Sequence, residues 1–65
     1  DGFSEITKVV GKTKDLIKRN GLFILEIGFK QKDKVIEILN NKGFYIKKII
    51  KDYAGIDRVI ISYKI

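Results

Sequence analysis

Leu22-Phe23-Ile24-Leu25-Glu26-Ile27-Gly28 decides how this chain folds: every position before the glycine is apolar except Glu26. The run lacks the alternation of a strand with one wet face, so it predicts a strand covered on both faces, as in an α/β sheet, with Gly28 ending it. Upstream, residues 4–19 read as an amphipathic helix, with Ile6, Val9, Val10, Leu16 and Ile17 on one stripe and Lys8, Lys12, Asp15 and Arg19 off it. Ser4 suits its N-cap, Glu5 its positive start and Lys18 and Arg19 its negative end. Asn20-Gly21 stops it, with Gly21 expected in the left-handed conformation. Gly11 inside the helix costs about 1 kcal/mol relative to Ala, which predicts close approach to a neighbouring element.

Downstream, Gln31–Lys42 carries Val35, Ile36, Ile38 and Leu39 at helical spacing before Gly43. Phe44–Lys51 is a weaker strand whose lysines indicate an exposed edge. Arg58–Ile65 alternates Val59, Ile61, Tyr63 and Ile65 with Ile60 and Ser62, and should be the more buried of the two. The order is helix-strand-helix-strand-strand. A helix joins strands one and two, which implies a right-handed parallel crossover, whereas the short turn 52–57 makes strands two and three antiparallel. With the third strand central, the strand order is 1-3-2.

Sixty-five residues make one domain or subdomain at most, burying roughly 60% of the unfolded surface. With no Cys and no His, disulfides, thiolate chemistry, imidazole bases and the usual zinc sites are excluded. Fourteen Lys and Arg against eight Asp and Glu leave a net charge of +6. That balance suits a polyanionic partner such as RNA, but the lysines are spread along every segment, which reads first as a solvated surface. No apolar run approaches the ~20 residues of a membrane span, and residues 1–20 hold no signal-peptide core. A soluble, cytoplasmic protein without a membrane partner is expected.

Leu25-Glu26-Ile27-Gly28-Phe29-Lys30-Gln31 and Lys51-Asp52-Tyr53-Ala54-Gly55-Ile56-Asp57-Arg58-Val59, with Gly43-Phe44 between them, resemble the C-terminal part of the HemK/PrmC family of release-factor glutamine methyltransferases. Asp1-Gly2-Phe3 is similar to the Asp-Gly-Leu that opens this region, so the resemblance spans nearly the whole chain. It implies an α/β fold that forms the C-terminal portion of a doubly wound methyltransferase sheet, the last strand antiparallel and tucked in before its predecessor. For the intact enzyme it implies methylation, by S-adenosylmethionine, of the Gln in the Gly-Gly-Gln motif of peptide-chain release factors. The family's Asn-Pro-Pro-Tyr motif is not present, since the chain has no Pro, and the glycines at 2, 11, 21, 28, 43 and 55 include no Gly-x-Gly pair that would cradle a nucleotide. No residue here is therefore assigned a catalytic, cofactor-binding or metal-binding role. The expected role is scaffold, paired with the upstream part of the same domain, binding no S-adenosylmethionine by itself and open to self-association.

Three groups invite a chemical reading. Glu26 is the one charge in an apolar strand, near the strand end where open α/β sheets bind ligands; a satisfied carboxylate partnered by Arg58 is the simpler expectation. Asp52, Asp57 and Arg58 cluster at the turn, where turn chemistry and a salt bridge outweigh acid/base work. Loop 28–31 is the candidate for substrate contacts. Phe29, Phe44 and Tyr45 lie near basic residues, and Lys42-Gly43-Phe44 matches the start of an RNA-recognition signature, but Tyr45, Ile46, Lys47 and Ile49 break it. A small basic RNA-binding α/β module is the alternative reading.

Overall fold

The computed structural model describes residues 2–65, and Asp1 of the opening tripeptide lies outside them. The elements are α1 (Gly2–Leu16), β1 (Leu22–Glu26), α2 (Lys32–Asn41), β2 (Phe44–Lys51) and β3 (Asp57–Lys64). The sheet order is β1-β3-β2, and β3 is antiparallel to both neighbours, so β1 and β2 run parallel. This is the expected α/β topology.

Both helices lie on one face of the sheet. Val10 of α1 and Val35, Ile38 and Leu39 of α2 meet Ile27, Phe44 and Ile60 in the core, with Phe23, Leu25, Ile46 and Ile49 packed around them. Period-two alternation then places Leu22, Ile24 and Glu26 on the opposite face, where Leu22 is 52% and Ile24 is 62% exposed. The expectation of a strand covered on both faces is corrected: the described residues cover one. A shortest extent of 14 Å has room for a sheet and one helix layer.

The central strand carries one buried polar side chain. Ser62 Oγ donates to the Phe23 carbonyl at 3.1 Å, which satisfies it without a ligand. Its small size leaves room for the rings of Phe23 and Phe44, 5.5 Å apart. In β2 the apolar residues follow no simple alternation because a bulge falls between Ile46 and Lys48. The extra residue, Lys47, lets both Ile46 and Ile49 face the core.

Several local expectations change. Helix α1 starts at Gly2 and ends at Leu16, so Ser4 lies in its first turn and not before it. Val9 and Leu16 leave the apolar stripe for solvent, while Phe3 joins it. Asn20, not Gly21, is left-handed, with φ 67°, a conformation that Asn tolerates. Gly21 has another reason to be Gly: a Cβ there would lie 2.5 Å from Ile17 Cγ1 and 2.8 Å from the Lys18 carbonyl. Lys18 and Arg19 fall beyond the helix, and Lys64 of β3 caps it instead, its Nζ donating to the carbonyls of Lys14 at 2.5 Å and Ile17 at 3.0 Å. Gly43, with φ 90°, does terminate α2 as expected. No neighbouring element approaches Gly11: outside its own stretch of helix, a Cβ built there meets no atom within 4 Å.

Candidate functional site

Loop 28–31, which follows β1, and the β2–β3 turn come together at one end of the sheet. They line a cleft of about 180 Å³ formed by Gly28, Phe29, Lys30, Lys32, Gly55, Ile56 and Asp57. The cleft sits beyond the C-terminal end of β1, where open α/β sheets place ligands.

A matched pair builds the loop. Gln31 folds back so that its Oε1 accepts the Gly28 N–H at 2.6 Å, while the Gln31 N–H donates to the Gly28 carbonyl at 3.2 Å. A Cβ at Gly28 would lie 2.9 Å from that Oε1, so Gly and Gln at this spacing require each other. The tight turn puts Lys30 at φ 62° and its Nζ 5.3 Å from the centre of the Phe29 ring. Phe29 is left 63% exposed at the rim.

The turn opposite is held by carboxylates. Asp52 Oδ1 accepts the N–H groups of Ala54 at 2.9 Å and Ile56 at 3.0 Å, while its Oδ2 accepts Arg58 Nε at 2.9 Å. Asp57 accepts Lys51 Nζ at 2.9 Å and faces Lys32 Nζ at 3.5 Å, which ties the hairpin to the start of α2. The Arg58 hydrogen bond holds the Asp52 carboxyl below its ordinary range, and the Lys51 hydrogen bond does the same for Asp57. Carboxyls kept ionised by cations are poor general acids, so the salt-bridge reading of this cluster stands. Among the described residues no group of three or more acids could hold a metal.

The proposed Glu26–Arg58 pair does not form. Glu26 lies opposite Val59 on the uncovered face, and Arg58 is the extra residue where the β2–β3 register slips between Ile50 and Lys51. Alternation puts the two on opposite faces, and Arg58 turns to Asp52. Glu26 is exposed, so no buried charge needs a partner there. The RNA-recognition reading loses its central aromatic, because Phe44 is 0% exposed in the core. Sequence reasoning did not assign Asp57 its place between Lys32 and Lys51, nor the Gly28–Gln31 lock. Only the lock had a visible signal, in the spacing of three that closes a turn.

Comparison with known proteins finds this sequence similar to methyltransferases. A release factor glutamine methyltransferase of Fusobacterium nucleatum subsp. nucleatum is 42% identical over 62 residues, covering 95% of this chain and 17% of the relative. A bifunctional methyltransferase of Rickettsia conorii is 39% identical over 61 residues, covering 94% of this chain and 12% of the relative. A release factor glutamine methyltransferase of Thermodesulfovibrio yellowstonii is 38% identical over 64 residues, 98% of this chain and 23% of the relative. Over nearly its whole length the chain is similar to release factor glutamine methyltransferases (HemK/PrmC), and it spans less than a quarter of the length of these relatives. No protein-family profile matches it, and no solved structure does.

Proposed function

We propose that this chain forms the C-terminal portion of a protein N5-glutamine methyltransferase domain that uses S-adenosylmethionine to methylate the Gln of the Gly-Gly-Gln motif in peptide-chain release factors, in the cytoplasm. The observation that carries this is the similarity, over nearly all of the chain, to relatives named release factor glutamine methyltransferase. The uncovered apolar face and the open β1 edge support a scaffold role, since both suit an upstream part of the same domain. Loop 28–31 is poised to contact substrate, with Phe29 standing at the rim of the cleft.

Methyl transfer to an amide nitrogen requires that nitrogen stripped of water and aligned with the sulfonium methyl. In this reading the Gly28–Gln31 lock and the Lys32–Asp57 bridge hold the sheet-end wall rigid. The cofactor supplies the methyl group, and residues outside this chain hold it.

Two measurements test the proposal. Replacing the homologous segment of the Fusobacterium nucleatum relative by this chain should yield a folded chimera that methylates release factor; a folded chimera without transfer contradicts the family function. Calorimetry on the 65-residue chain should detect no S-adenosylmethionine binding. Affinity tighter than about 1 mM, or roughly −4 kcal/mol, would overturn the scaffold role.

A further inference from the structure

The ion pairs of this protein are confined to one part of the chain. The four ion pairs among the described residues all join side chains between positions 32 and 58. Helix α1 contributes none, although it carries Lys8, Lys12 and Lys14. These lysines line an open cleft with Thr7, Gly11, Asp15 and Lys42, the last from the C-terminal end of α2. The Lys14 side chain reaches across it, its Cε 3.9 Å from the position of a Cβ on Gly43. Four cations thus surround one carboxylate, and none has an ion-pair partner among the described residues. The cleft also lacks an aromatic side chain.

Gly11 is one of the residues lining this cleft. It weakens α1 by replacing a better helix former, yet no neighbouring element approaches it. A helical glycine without a packing neighbour leaves bare backbone where an outside group approaches closely. The hydroxyl of Thr7 is already committed to the Phe3 carbonyl, so recognition there falls to the lysines. Lys64 Nζ covers the carbonyls at the end of α1, which removes a negative pole that would repel an anion.

We propose that the cleft between α1 and the end of α2 binds a nucleic-acid backbone through its phosphates, with Lys8, Lys12, Lys14 and Lys42 as the contacts and Gly11 as the point of closest approach. Without aromatic stacking or base-reading amides, such binding is independent of sequence and strongly dependent on salt. It does not rest on the methyltransferase reading.

The test is fluorescence anisotropy of the 65-residue chain with a labelled 20-base-pair RNA duplex at 50–200 mM salt. Four phosphate contacts predict a slope of log affinity against log salt of about −3.6, a loss of roughly 150-fold over that range. Lys8→Gln with Lys12→Gln should reduce the slope by about 2. Lys32→Gln with Lys34→Gln, which removes equal charge at the other end, should change it little. Gly11→Ala should raise the melting temperature by about 4–8 °C while weakening binding at least threefold. That split separates a site from a merely charged surface, because the variant is more stable and equally charged. No binding at 50 mM salt, equal losses from the two double variants, or full affinity in Gly11→Ala would overturn the proposal. So would equal binding of a poly-glutamate peptide, which would make the cleft a site for acidic protein segments.

Discussion

The two outer strands of this sheet are built to opposite rules. β2 is eight residues long, carries Lys47, Lys48 and Lys51, and is bent by register slips at Ile46/Lys48 and Ile50/Lys51. These are the devices by which an edge strand discourages further pairing. β1 has neither lysine nor bulge: Leu22-Phe23-Ile24-Leu25-Glu26 pairs with β3 in unbroken register. The Ile27 N–H donates to the Arg58 carbonyl, so Phe23 and Leu25 share its orientation toward β3 while Leu22, Ile24 and Glu26 turn their N–H and C=O groups outward. One edge carries these devices and the other carries none.

The largest effect separates the inner contributions of these strands. Phe44→Ala in β2 removes a fully buried ring and should cost about 3–5 kcal/mol in denaturant unfolding. Ile24→Ala in β1 removes a side chain that is 62% exposed and should cost less than about 1 kcal/mol. Equal costs would show that the uncovered face is buried in solution.

Self-association comes next. The 65-residue chain should associate reversibly as concentration rises, and Ile24→Lys should suppress this by giving β1 the charge that β2 already carries. Sedimentation across a dilution series measures it. Hydrogen exchange sharpens the same point: the amides of Phe23, Leu25 and Ile27 should be protected, and those of Leu22, Ile24 and Glu26 should exchange quickly in the monomer. A monomer at millimolar concentration with all six amides slow would show that β1 is no open edge.

Acid should act on the β2 side first. Asp52 and Asp57 have carboxyls held below their ordinary range by Arg58 and Lys51, so their contribution is present above about pH 4 and is lost as pH falls through the lowered folded values. NMR titration should show the turn from Asp52 to Asp57 loosening below about pH 4 before β1 is affected. Loss of both strands together would mean that these carboxylates do not hold the hairpin separately.

The smallest effect is an expected absence of coupling. A double-mutant cycle between Glu26→Ala and Arg58→Ala should be additive within about 0.3–0.5 kcal/mol, because the two residues lie on opposite faces. Coupling near 1 kcal/mol would put the two side chains on the same face.

What the sequence determined by itself is the element order and the sheet order. An apolar run, helical spacing in 31–42, a lysine-rich strand and an alternating one leave β3 in the middle, because hydrophobic pattern and connection length are local quantities that constrain topology. The resemblance to release factor glutamine methyltransferases was legible in the wording of Leu25–Gln31 and Lys51–Val59. Tertiary structure decided which face of each strand is covered, and with it the fate of every charge considered for chemistry. The β1–β3 register set Arg58 on the face opposite Glu26, where it meets Asp52, and the extra residue Lys47 reversed side-chain parity in β2 and brought Ile49 into the core. Lys64 capping α1 and Asp57 meeting Lys32 depend on where chain segments meet in space. Such meetings are set by register and packing across the sheet, and no pattern along one strand records them.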